Sequence, residues 1–160
     1  MENIKQKIWD DWSHAQTLST RYVGTQLEKK TKTTFEQFQV LNMIDEIGIT
    51  ANATEMAKKL VKNTNTLSTI LDRMEIKGLV VKTRDTQDRR IVYAAITEKG
   101  KRKLKDAKTA SHEVVEKLTS EFSPEELKTF DALIAKFIKT IQKALNVKKP
   151  NVKSKNRIDE

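Results

Sequence analysis

The chain has no cysteine, and that absence removes several functions at once. Disulfides, Cys-ligated zinc, iron–sulfur clusters and thiol redox sensing all need the sulfur. Only four glycines and two prolines punctuate 160 residues, so long helices with short connections are expected. The two histidines, His14 and His112, lie far apart without a clustered His or a carboxylate at ligand spacing. No metal site is expected from them. No apolar run reaches the length of a membrane span, and no signal-type apolar segment follows Met1. The expectation is a soluble, cytoplasmic protein with no membrane partner. A Gly-rich phosphate loop and a Gly-x-Ser-x-Gly string are also missing, and acidic residues are interleaved with Lys on helix faces. The sequence therefore reads as a non-enzyme with no cofactor.

What is present is positive charge. Thirty-one Lys and Arg oppose twenty-two Asp and Glu, for a net charge of +9 and a pI of about 9.6. Such a balance suits a nucleic acid, an anionic surface or an acidic partner and says nothing about fold. The length fits one domain, with or without helical extensions, and suffices for a sizeable core.

Apolar residues at spacings of three and four organise most of the chain. Ile4, Ile8, Trp12, Ala15, Ser19 and Tyr22, widened by Trp9, Leu18 and Val23, predict a long helix over residues 3–28. Thr34 and Gln37 have the spacing of a capping box. Phe35, Phe38, Leu41, Ile44 and Ile47 then form an apolar face that Gly48 ends. Thr54 is the expected cap of a short helix over 55–61, with Met56, Ala57, Leu60 and Val61 inward. After a turn at 63–65, Asn65 is the expected cap of a second helix, whose apolar stripe is Leu67, Ile70, Leu71 and Met74. Gly78 ends it. Residues 79–83 and 91–96 are rich in β-branched side chains around a charged connection and predict a hairpin. Thr97 caps a long helix with Leu104, Ala107, Ser111, Val114 and Leu118 on one face. Ser123-Pro124-Glu125-Glu126 starts another, carrying Leu127, Phe130, Ile134, Phe137, Ile141 and Leu145. Residues 146–160 are polar and Lys-rich and are expected to be disordered.

The two short helices have the form of a helix-turn-helix, whose second helix lies in the major groove of DNA. Its polar side offers Asn65, Ser68, Thr69, Asp72 and Arg73, with Thr64 and Thr66 at the N-terminal end, where backbone N–H groups also favour phosphate. Hydroxyls can reach phosphates or bases, and Arg73 can fork onto guanine or clamp a phosphate. Taken alone, the same pattern also fits an ordinary solvated helix face. The hairpin tip, Asp85-Thr86-Gln87-Asp88-Arg89-Arg90, adds to the case. A narrow minor groove attracts an inserted Arg, which suits Arg89 and Arg90, whereas Asp88 would be repelled by phosphate and is expected to orient a neighbouring Arg.

In that order the strings Thr54-Glu55-Met56-Ala57, 71–80, 85–90 and Ile96-Thr97-Glu98-Lys99-Gly100 resemble the winged helix of the MarR family of bacterial transcription regulators. The motif resemblance covers residues 34–104, and the flanking helices match in architecture only. It implies a mainly α fold with a small β-hairpin wing: a winged helix-turn-helix (34–100) between N-terminal (1–33) and C-terminal (101–145) dimerisation helices. It further implies a homodimeric repressor on a pseudo-palindromic operator in double-stranded DNA. The recognition helix, 65–77, would enter the major groove, and the Asp88 and Arg90 positions match the family's paired Asp and Arg in the wing. Many members are released by small aromatic or anionic effectors bound between the dimer helices and the winged helix. Trp12 and Tyr22 are candidates for lining such a pocket, with Trp9 nearby, and dimer core is the blander use of the same aromatics. Thr86 departs from the proline often found there, which would loosen the tip. A protein-interaction module and a metal-responsive regulator are the alternative functions.

Overall fold

One buried apolar cluster sets the arrangement of the middle of the chain. In the computed structural model, which describes residues 2–145, six helices and a hairpin follow in sequence: α1 (Glu2–Thr31), α2 (Phe35–Ile47), α3 (Ala53–Leu60), α4 (Thr64–Ile76), β1 (Val80–Arg84), β2 (Val92–Ile96), α5 (Glu98–Thr119) and α6 (Pro124–Ala144). The expectation of a disordered tail at 146–160 lies outside the described residues. The cluster draws Val40, Leu41 and Ile44 from α2, Met56 and Ala57 from α3, and Leu67, Ile70, Leu71 and Met74 from α4. Leu79, Val80 and Ala94 of the hairpin region and Leu104 of α5 close it.

Several expected helix ends are found as capping geometry. The Thr34 hydroxyl accepts from the Gln37 N–H while the Gln37 side chain accepts from the Thr34 N–H. Gly48, at φ 79°, ends α2. Two caps fall elsewhere. Asn52, not Thr54, caps α3, its side chain accepting from the Glu55 N–H at 3.0 Å. Asn63, not Asn65, caps α4, accepting from the Asn65 N–H at 2.8 Å. For α4 the reason is the turn that precedes it. Val61 adopts φ 52°, ψ 43°, and the Lys62 N–H returns to the Ala57 carbonyl. The chain has reversed by Lys62, so Asn63 is the first extended residue ahead of the new helix. The same turn places Val61 outward, 86% exposed, against the expectation that it packs inward.

The end of α4 uses the same hydrogen-bond pattern with a residue suited to it. Gly78, at φ 67°, donates to the Glu75 carbonyl, and the Leu79 N–H donates to that of Met74. This is the termination that glycine favours, because a left-handed residue with a Cβ is strained.

The hairpin is an antiparallel pair in the register Val80↔Ile96, Lys82↔Ala94 and Arg84↔Val92. Its root is fixed to the body. Ala94 donates to the Ala51 carbonyl at 2.8 Å, and Asn52 bridges Tyr93. Thr97 caps α5 as expected: its hydroxyl accepts from the Gly100 N–H at 3.0 Å and donates to the Gly78 carbonyl at 2.8 Å. That draws α5 against Leu79. A Cβ built on Gly100 would lie 2.1 Å from the Leu79 carbonyl oxygen, so only glycine fits there.

The C-terminal end of α1 packs through Leu27 onto Ala107 and Ala110 of α5, with Phe35 and Phe38 alongside. Ala110, rather than the expected Ser111, is the fully buried member of that turn of α5. Further toward its N-terminus α1 exposes its apolar residues: Ile4, Ile8, Trp9 and Leu18 are all more than half exposed. The chain divides into two units, the second beginning at Leu118 and containing α6. Helix α6 has the Ser123–Glu126 capping box and Pro124 at its start. None of its residues is buried.

Candidate nucleic-acid interface

Helix α4 presents its polar side because Leu67, Ile70, Leu71 and Met74 are held in the cluster, each no more than 6% exposed. Thr64, Asn65, Thr66, Thr69, Asp72 and Arg73 are exposed, and Ser68 is half-buried. The Thr69 hydroxyl donates to the Asn65 carbonyl at 3.0 Å, which leaves its oxygen available as an acceptor. Arg73 sits at one edge of the face, where it lines an open cleft of about 300 Å³ with Thr34, Glu36, Gln37 and Lys77.

A feature of the N-terminal end was not drawn from the sequence, although it is written there. Helices α2, α3, α5 and α6 each carry a carboxylate in the first turn, and α4 carries none. Carboxylates satisfy the positive end of a helix, so α4 alone among these has no carboxylate competing there with an outside anion.

The wing tip is ordered by two aspartates. Asp85 accepts from the backbone N–H groups of Asp88 and Gln87, 2.8 Å each. Those N–H groups, Asp88 first, hold the Asp85 carboxyl below its ordinary value. This is an Asx-type turn, which holds the backbone on either side of Thr86 by hydrogen bonds. Asp88 accepts from the Arg90 N–H at 3.0 Å, and its carboxylate lies 3.6 Å from the Arg90 Nε. Asp88 therefore faces its neighbour, while the Arg90 side chain stays 94% exposed. Arg89 is exposed as well.

Lys82 also has a place in this geometry that periodicity did not single out. Its ammonium reaches the carboxylates of Asp72 and Glu75 on α4, the latter at 3.0 Å, and its own N–H donates to Glu75 at 3.0 Å. The hydrogen bonds to Asp72 and Glu75 raise the Lys82 pKa, so the ammonium is firmly charged.

The sequence-based candidates on α1 are not brought together. Trp12 and Tyr22 are both half-buried. They are ten positions apart on one helix, about 15 Å along its axis. Among the described residues no group of three His, Cys, Asp or Glu could hold a metal ion, and no helix is long and apolar enough to cross a membrane.

Comparison with known proteins agrees with this geometry. Residues 34–92 match the model of the MarR family. Over 137 residues the chain is 30% identical to the HTH-type transcriptional regulator MgrA of Staphylococcus aureus, covering 85% of this chain and 90% of that protein. Among solved structures, a mutant MarR from E. coli complexed with operator DNA aligns with a TM-score of 0.75 at 22% identity, over 84% of this chain and 96% of that one. An organohalide-sensing transcriptional regulator in its 2,4-dichlorophenol-bound form aligns with a TM-score of 0.75 at 19% identity, over 98% and 90%. The buried cluster, the helix-turn-helix and the wing together are the family's architecture, and this chain belongs to the MarR family of winged-helix, DNA-binding transcription regulators.

Proposed function

We propose that the protein binds double-stranded DNA as a homodimer, with α4 in the major groove and the hairpin tip in the flanking minor groove of a pseudo-palindromic operator. The observation that carries this reading is the exposed polar side of α4, joined through Lys82 to a hairpin whose tip exposes Arg89 and Arg90. Asp88 there accepts from the Arg90 N–H and lies against the Arg90 guanidinium. Thr64, Asn65, Thr66, Ser68, Thr69 and Arg73 would make the contacts of the helix. A two-fold site needs two readers, and α1 and α6 each carry exposed apolar residues that a second copy could cover.

Within its family the protein acts, on this reading, as a cytoplasmic repressor that a small aromatic or anionic molecule releases. The dichlorophenol-bound neighbour supports that chemistry. Tyr22 is the better placed of the two α1 aromatics, since its neighbour Val23 packs against the cluster joining α1 to α5.

Arg90→Ala tests the wing. At ~150 mM salt, the variant should bind a duplex selected by the wild-type protein about tenfold more weakly, with an unchanged melting temperature. Equal affinity of the two proteins would show that the wing does not touch DNA.

A further inference from the structure

Asn65, Thr69 and Asp72 are spaced i, i+4, i+7 and form one stripe of α4, opposite the buried one. A carboxylate therefore stands on the same line as two of the residues assigned to DNA. Glu75, three positions on, adds a second carboxylate on the side facing the hairpin, where β1 meets it. Left open, two negative charges beside a phosphate backbone would oppose binding, because like charges brought together at an interface cost affinity.

The structure does not leave them open. The Lys82 ammonium contacts both carboxylates, and the Lys82 N–H holds the other oxygen of Glu75. Lys82 is also set back. Its side chain is 22% exposed, against 94% for Arg90 at the tip. A lysine serving a phosphate would extend freely toward solvent, whereas this ammonium is committed to two carboxylates of α4.

Resting on the DNA-binding reading above, we propose that Lys82 is a positioning residue of the DNA interface: it screens Asp72 on the DNA-facing stripe of α4 and Glu75 beside it, and ties the root of the wing to that helix, without itself contacting the nucleic acid. Opposite charges on two elements thus form one joint between the two parts of the reader, its net charge cut from −2 to −1. The exposed cations, Arg73, Arg89 and Arg90, then face DNA against a weaker negative field from α4.

The test compares Lys82→Met with the triple variant Lys82→Met/Asp72→Asn/Glu75→Gln, using the full chain and a fluorescent duplex selected by the wild-type protein from a random-sequence pool. Lys82→Met should bind about tenfold more weakly at ~0.1 M salt, and the ratio to wild type should shrink as salt rises, because the exposed carboxylates are screened. The triple variant should return to within about threefold of wild type with the wild-type salt slope, since the Glu75→Gln amide still offers an oxygen to the strand N–H. A merely structural role would give a ratio that salt does not change. Wild-type affinity in Lys82→Met would overturn the proposal. So would a triple variant as weak as Lys82→Met with a salt slope lower by about one ion, the signature of a lost phosphate contact. If Lys82→Met melts below the assay temperature, the triple variant decides alone: within about threefold supports the proposal, more than about tenfold weaker overturns it. If the wild-type protein selects no duplex, the DNA-binding reading fails and takes this proposal with it, an outcome distinct from any of the variant results.

Discussion

Helices α4 and α6 are both amphipathic, yet only one has its apolar face covered. Leu67, Ile70, Leu71 and Met74 of α4 are all buried in a cluster shared with α2, α3, the hairpin and α5. On α6 nothing is buried: Phe130 is 51% exposed and Leu133 61%. The difference separates two uses of one sequence pattern. An apolar face answered by its own chain fixes a helix so that its other side can be read by a partner. An apolar face left open marks a surface that itself seeks a partner.

The largest effect should come from disturbing the covered side. Gly100→Ala puts a Cβ 2.1 Å from the Leu79 carbonyl oxygen, a backbone atom that cannot move aside alone. It should cost about 3 kcal/mol, and the melting temperature should fall by roughly 10 °C. An unchanged melting curve would show that α5 does not press on Leu79 as described. Next comes the open side. Phe130, Leu133, Phe137 and Ile141 follow a three-four spacing on α6, and Leu133→Glu places a charge within that stripe. It should weaken self-association about 100-fold, about 2.7 kcal/mol, while helix content by circular dichroism stays the same. Sedimentation that finds the same dimer population in the variant would mean that α6 is not the surface a second copy uses. Together these two changes break the comparison from opposite ends, one through folding and one through assembly.

A smaller substitution sharpens it. Val61 holds φ 52° at the turn that seats α4, in a conformation that costs a β-branched residue about 1–2 kcal/mol. Glycine relieves the strain but adds about 0.5–1 kcal/mol of backbone entropy loss on folding. Val61→Gly should therefore stabilise the protein by up to about 1 kcal/mol, visible as a melting temperature higher by a few degrees. A lower melting temperature would mean that the exposed Val61 side chain contributes more than its conformation costs.

The smallest effect belongs to the tip. Backbone N–H groups depress the Asp85 pKa below its ordinary value of 3.8. A carboxyl whose folded pKa is lowered contributes its stability above the unfolded value and loses it as pH falls through the folded one. The Gln87 and Asp88 amide resonances should therefore report the Asp85 titration with a midpoint below 3.8. A midpoint at or above that value would remove Asp85 as the organiser of the wing turn.

What the sequence made legible was local. Thr34 with Gln37, and Ser123 with Glu126, each place two reciprocal partners three residues apart, so the caps can be read without tertiary knowledge. The stripe of α4 and the β-branched runs of the hairpin were legible for the same reason. The α3 and α4 caps were misplaced because several competent residues crowd each site, Asn52 and Thr54 in one case and Asn63 and Asn65 in the other. The choice between Asn63 and Asn65 depended on the left-handed turn at Val61, which no periodicity announces. Lys82 was missed because its partners lie seven and ten positions away on another element. Its role exists only once the strand register and the rotation of α4 are both set. Asp88 could be read in advance because its partner, Arg90, is two residues away and a free carboxylate would face phosphate.

The most direct measurement is selection of genomic DNA fragments by the purified wild-type protein, followed by sequencing. A paired winged-helix reader predicts one enriched motif with two-fold symmetry, its half-sites about one helical turn apart, roughly 10 base pairs or a multiple of that. Recovery of fragments with no enriched motif over the input, by a protein shown to be folded, would contradict it.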